Sequence, residues 1–105
     1  MATEVTVNEL AEAIGHGGFV LDVREDDEWE AGHVPAATHI PLGEVAANLD
    51  KLDDGRRIFV ICRSGVRSLK AANYLAELGY DVVSVAGGTV AWQESGRELS
   101  FDPSL

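Results

Sequence analysis

The chain has one cysteine in 105 residues, and the residues around it are those of a nucleophile. An apolar run from Ile58 to Ile61 delivers Cys62 into the short segment Arg63-Ser64-Gly65-Val66-Arg67-Ser68, and helix-like periodicity follows at once. In a strand–loop–helix passage of this kind, backbone N–H groups of the loop and of the helix N-terminus converge on the atom at the loop's start. Converging N–H groups favour negative charge there. The thiolate is the reactive form of cysteine, and such surroundings lower its pKa from the free value of about 8.5. Gly65 gives the loop the backbone freedom to turn its amides inward. Arg63 and Arg67 offer charge and forked donors to a bound dianion. A lone cysteine without this context is an ordinary small buried residue.

Other residues suggest less chemistry. His16, His33 and His39 lack the spacing of metal ligands, and with a single cysteine neither a zinc site nor another cofactor is expected. Ser64 and Ser68 have no His-Asp partner that would suggest serine catalysis, and Ser68 reads as a loop hydroxyl or helix-start donor. Asp22 ends an apolar run and is expected to bind loop amides, a structural role shared with Arg24. His33, just before Val34-Pro35, is expected to hydrogen-bond within its loop. Gly87-Gly88 lacks the further glycine and lysine of a nucleotide loop. Trp92 reads as core or pocket wall.

The formal charge is −10, which argues against nucleic acid or an anionic membrane as partner. Five of the eight basic residues nevertheless lie between 56 and 70: Arg56, Arg57, Arg63, Arg67 and Lys70. Acids gather elsewhere, notably at Glu25, Asp26, Asp27, Glu28 and Glu30. An acidic body with a basic spot around its thiol suits a small anionic substrate. No apolar run approaches the ~20 residues of a membrane helix, and Met1–Val5 does not open a secretory signal, so a cytoplasmic location is expected.

The elements that must position the thiol alternate in type. Val5–Val7 is β-prone. Thr6 and Glu9 fit a capping box ahead of Leu10, Ala13 and Ile14, with a stop at Gly15. Phe19–Val23 reads as a strand, Asp26–Ala31 as a short helix, Thr38–Ile40 as a short strand and Gly43–Leu52 as a helix. Arg57–Ile61 is the natural central strand, apolar on both faces. Ser68–Leu78 is the strongest helix, with Leu69, Ala72, Leu75 and Leu78 as its stripe and Gly79 beyond its end. Asp81–Val85 is a further strand and Thr89–Ser95 a last short helix. Alternation of this kind predicts an α/β fold with a mainly parallel sheet, whose sites lie beyond the carboxyl ends of the strands, where Cys62 falls. The whole of 1–105 reads as a single domain with its core at about 4–96 and an irregular tail, Phe101–Leu105.

Several separated segments share one further pattern: Leu21-Asp22-Val23-Arg24-Glu25, Glu28-Trp29, Gly32-His33-Val34-Pro35-Ala36-Ala37, His39-Ile40-Pro41, the Cys62 loop, and Gly87-Gly88 with Ala91-Trp92. In order and spacing they resemble a single-domain rhodanese of the thiosulfate sulfurtransferase family, over residues 4–96. The resemblance implies a rhodanese-like α/β fold with about five strands, helices on both faces, and a cysteine cycling between thiol and persulfide. It implies a six-residue loop, Cys62–Arg67, whereas related phosphatases and arsenate reductases use seven; their Cys-x5-Arg spacing fails here because position 68 is serine. Arg63 matches thiosulfate-type enzymes, while Ser64 replaces a lysine found next in the vertebrate ones. Ala36 stands where the family often has glycine, so a small local adjustment is expected. The segment Asp22-Val23-Arg24 is implied to lie near the site, with Arg24 adding positive potential.

The expected activity is therefore transfer of a sulfane sulfur from thiosulfate or a persulfide donor, through Cys62, to a thiophilic acceptor such as cyanide, a thiol or a protein thiol. The loop Arg63, Ser64, Gly65, Val66, Arg67 and Ser68 binds the substrate, with Asp22 and Arg24 in support. A persulfide carrier or regulatory binding module is the alternative from another class, and an arsenate reductase or phosphatase a weaker third.

Overall fold

The computed structural model describes residues 2–101. Their elements run β1 (Thr3–Val5), α1 (Val7–Gly15), β2 (Phe19–Asp22), α2 (Asp26–Glu30), β3 (Ala37–His39), β4 (Ile58–Ile61), α3 (Val66–Glu77), β5 (Val82–Val85) and α4 (Gly88–Glu94). The strands form one sheet in the order β1-β5-β4-β2-β3, with every neighbouring pair parallel. The expected central strand is central: β4 lies between β2, with Val60 opposite Leu21, and β5, with Phe59 opposite Val83.

Side chains of a strand alternate between faces, and β4 feeds two cores. Ile58, Val60 and Cys62 join Leu21, Ala71, Ala72 and Leu75 on the α3 side. Phe59 and Ile61 join Leu10, Val20, Val83 and Trp92 on the side of α1 and α4. With helices covering both faces, a parallel sheet of β-branched strands is fully dry at its centre.

The helix starts follow local chemistry. Thr6 Oγ1 accepts the Glu9 amide at 3.1 Å while Glu9 Oε1 accepts the Thr6 amide at 3.1 Å, the capping box expected for α1. Because Thr6 caps the helix, β1 ends at Val5, two residues before the expected end. The helix α3 starts at Val66 instead of Ser68. Its buried face is Ser68, Ala71, Ala72 and Leu75, and Leu78, the C-cap residue, is exposed instead of closing the stripe.

The helix expected over Gly43–Leu52 is replaced by two 3-10 turns, Leu42–Glu44 and Leu49–Lys51. Asn48 explains the interruption. Its Nδ2 donates to the Glu44 carbonyl at 2.8 Å, the acceptor that its own amide would use in an α-helix, and that amide bonds Val45 O instead. Val45 is still buried.

Ala36 adopts φ +74°, the one non-glycine in the left-handed region among the described residues. The adjustment expected where alanine replaces glycine is thus a strained backbone, costing about 1–2 kcal/mol. Beyond α4 the chain returns to that loop: Ser100 and His33 exchange backbone hydrogen bonds of 2.9 and 2.7 Å. Of the tail expected to be irregular, Phe101 has no regular structure, and 102–105 lie outside the described residues. Among the described residues no helix is long and apolar enough to cross a membrane.

Candidate active site

Cys62 follows the last residue of β4 and sits at the carboxyl edge of the sheet, in the bend before α3. The loop closes around its sulfur. Gly65, at φ +106°, turns its amide inward to donate to Sγ at 3.1 Å. Ser68 Oγ lies 3.5 Å from Sγ, and 2.8 Å from the Oγ of Ser84 on β5. Burial of the sulfur raises its pKa, but the Ser68 hydroxyl and the amides of Ser68, Gly65 and Ser64 together outweigh that effect and hold the thiol below its ordinary value. The side chain is only 1% exposed, so the sulfur lies at the bottom of its own loop with the nitrogens turned towards it.

The two buried serines form a directed chain. When Cys62 is a thiolate, Ser84 Oγ donates to Ser68 Oγ and Ser68 Oγ donates to the sulfur, so each hydroxyl proton has an acceptor. Reversing the chain to accept a thiol proton leaves the Ser84 proton without use. Ser84→Ala should therefore raise the thiol pKa by about half a unit to one unit, the worth of one neutral hydrogen bond. The rate of iodoacetamide alkylation against pH measures it: the wild-type rate rises through a midpoint below that of an ordinary free thiol, and the variant midpoint lies higher. A coincident profile would show that Ser84 is only packing.

The loop is fixed from outside by the first turn of α4. The amides of Thr89 and Val90 donate to the carbonyls of Cys62 and Arg63 at 2.9 and 3.1 Å, and Thr89 Oγ1 adds a bond of 3.0 Å to Cys62 O. With those carbonyls drawn outward, the loop's N–H groups are left facing in. Gly88, at φ +56°, packs its backbone directly on Cys62 and Arg63. This is the role of Gly87-Gly88, which sequence reasoning read only as a turn.

A cavity of about 270 Å³ opens beside the loop, lined by Arg24, Glu28, Arg63, Thr89, Val90 and Gln93 among others. Its charges are mostly paired. Buried Asp22 accepts the Arg24 amide at 2.9 Å and Arg24 Nε at 3.0 Å, and Arg24 Nη2 donates to Gly32 O at 2.8 Å. Asp22 thus binds the loop amide expected of it, and Arg24 reaches the cavity wall. Arg67 departs from expectation. Its fork is closed on Glu28, at 2.6 and 2.8 Å, instead of open to an anion. The Arg67 fork holds Glu28 at a pKa of about 2, against the opposing effect of partial burial. Arg63 and Ser64 are exposed, and Val66 stands 73% exposed on the outer side of the loop. Glu28, Ser84 and Thr89 were missed as site residues. Ser84 had a signal: a hydroxyl in the otherwise apolar strand Val82–Val85 must find a partner. His33 Nδ1 donates to Trp29 O, 3.1 Å away, within its loop, and Trp92 belongs to the α1–α4 core.

A cysteine at the head of a tight amide-lined loop, following the central strand of this parallel sheet, defines a class, and sequence comparison gives its name. Residues 6–95 match the rhodanese-like domain, and the chain belongs to that family. A Bacillus subtilis relative named as a sulfurtransferase, YtwF, is 41% identical over 75 residues, covering 71% of this chain and 73% of that one. A sulfurtransferase of Allochromatium vinosum is 30% identical over 102 residues, covering 94% of this chain and 95% of its own. The crystal structure of a rhodanese-related protein from Thermoplasma volcanium superposes with a TM-score of 0.89 at 32% identity, covering 95% of this chain and 99% of that one.

Proposed function

We propose that this protein is a sulfurtransferase in which Cys62 takes a sulfane sulfur from thiosulfate or an organic persulfide and passes it to a thiol or cyanide. The observation that carries this reading is the set of donors around Sγ, led by the Gly65 amide at 3.1 Å. The names of the relatives support the same chemistry.

The Cys62 thiolate attacks the outer sulfur of thiosulfate; the new S–S bond forms as the old one breaks, and sulfite leaves with the bonding pair. Cys62 keeps a persulfide whose terminal charge stays within reach of the Ser64, Gly65 and Ser68 amides. The acceptor then takes the outer sulfur and returns the thiolate, a two-step covalent cycle. Ionisation is already favoured, so no separate general base is required. The sulfur is nearly covered, which suits donors that present a terminal, unbranched sulfur end-on. Arg63 meets the incoming anion, Val66 forms the rim, Arg67 braces the loop through Glu28, and Asp22 fixes Arg24 on the cavity wall. The cytoplasm belongs to the same reading, because a reducing compartment keeps a thiolate free.

Intact-mass measurement after treatment with thiosulfate, and separately with a persulfide, tests the proposal. One added sulfur atom on Cys62, removed by a later thiol, is the expected result. No added sulfur from either donor would overturn it. A persulfide that forms but never turns over would replace the enzyme with a sulfur carrier, and phosphate release from an aryl phosphate would replace it with a phosphatase.

A further inference from the structure

Three guanidinium groups lie near the Cys62 loop, those of Arg24 and Arg63 on the cavity wall and that of Arg67 at the loop's end, and two of them already have carboxylate partners. Arg24 is paired with Asp22 at 2.9 Å and Arg67 with Glu28 at 2.6 Å. Among the described residues Arg63 has no carboxylate partner and is exposed at the wall. Three positive charges thus meet two negative ones, and the remaining unit is matched by the thiolate itself. Glu28 lies on the cavity wall with Arg24 and Arg63.

Glu28 is also firmly placed. Its Oε1 accepts the Glu25 amide at 3.0 Å while both its oxygens receive the Arg67 fork. The next residue, Trp29, is buried between the rings of His33 and His39, at centroid distances of 3.5 and 4.7 Å, which pins α2. With its pKa held near 2, the carboxylate stays charged at every working pH.

We infer that Glu28 is a specificity-determining residue, tuning the site to singly charged sulfur donors, organic persulfides R–S–S⁻, and against the thiosulfate dianion. This rests on the sulfur-transfer reading given above. A fixed negative charge repels a ligand in proportion to the ligand's own charge, so the dianion suffers twice the free-energy penalty of the monoanion. Glu28 also cancels the charge of the Arg67 fork, which would otherwise attract a dianion twice as strongly as a monoanion. With a persulfide donor the Cys62 thiolate forms its bond to the outer sulfur, the donor's S–S bond breaks, and RS⁻ leaves with the bonding pair, so that the donor's terminal charge stays on the sulfur now held by Cys62.

The test compares kcat/KM for thiosulfate and for cysteine persulfide in the wild-type chain, in Glu28→Gln, and in Glu30→Gln, which removes an exposed charge from the same helix. Glu28→Gln should raise kcat/KM about tenfold with thiosulfate and about threefold with the persulfide, so the preference for persulfide narrows. Glu30→Gln should leave the preference where it was. An unchanged preference in Glu28→Gln, or the same change in both variants, overturns the inference. Should Glu28→Gln fail to fold, salt decides in the wild type: screening relieves the doubly charged donor more, so added salt should narrow the preference, and an insensitive ratio overturns the inference. If neither donor loads Cys62, it is the sulfur-transfer reading that falls; if both load it and the preference ignores Glu28, only this inference does.

Discussion

Cys62→Ser should abolish sulfur transfer, by roughly a thousandfold or more, while leaving the fold in place. The two side chains are nearly the same size, and the serine hydroxyl would still receive the Gly65 amide. Chemistry is what changes. A serine hydroxyl is not ionised by a few hydrogen bonds at neutral pH, and the loop has no adjacent base to take its proton. A thiolate does not need one, and here its ionisation is favoured by Ser68 and by the amides of Ser68, Gly65 and Ser64 against the effect of burial. The variant should neither gain mass from a sulfur donor nor turn one over, with an unaltered far-ultraviolet circular dichroism spectrum. Turnover at the wild-type rate would mean that the reaction runs elsewhere.

Gly88→Ala should be nearly as damaging, although Gly88 touches no substrate. A Cβ there would meet the carbonyl carbon and oxygen of Arg63 at 2.6 Å and press on the carbonyl oxygen of Cys62. These are backbone atoms, held by the Thr89 and Val90 amides, and cannot swing aside. At φ +56° the alanine is strained as well. Overpacking and backbone strain together should destabilise the fold by about 2–5 kcal/mol. A 1 Å shift of the loop would turn the amides from the sulfur, and a displacement of that size costs about a hundredfold in rate. Chemical denaturation and the alkylation profile of Cys62 read the two effects separately. Wild-type stability with an unmoved thiol pKa would refute the close packing of this turn on the loop.

The sequence announces those parts of the molecule that depend on near neighbours. The Thr6–Glu9 capping box, the apolar strand Ile58–Ile61 and the bend after Cys62 are each written within a few consecutive residues, and each stands where it was expected. The departures have longer-range or competing causes. Arg67 finds Glu28 across 39 positions, a pairing that no local pattern announces. Asn48 stops the helix expected over Gly43–Leu52, because a side-chain amide takes a backbone acceptor. Leu78 is exposed because α3 ends at Glu77 and leaves it as the C-cap residue, off the buried face of Ser68, Ala71, Ala72 and Leu75. Ser84 was the legible omission, a hydroxyl that an apolar strand could not leave unpaired.

The alternation along β4 has a consequence for how such a protein can change. Cys62 lies with Ile58 and Val60 and opposite Phe59 and Ile61, so its side of the sheet is decided by odd or even count from the start of the strand. One residue inserted or deleted there would swing the nucleophile to the α1–α4 side, away from every group that activates it, whereas two would bring it back. Surface connections away from the thiol can change length by single residues; the strand ahead of the thiol can change length only in pairs.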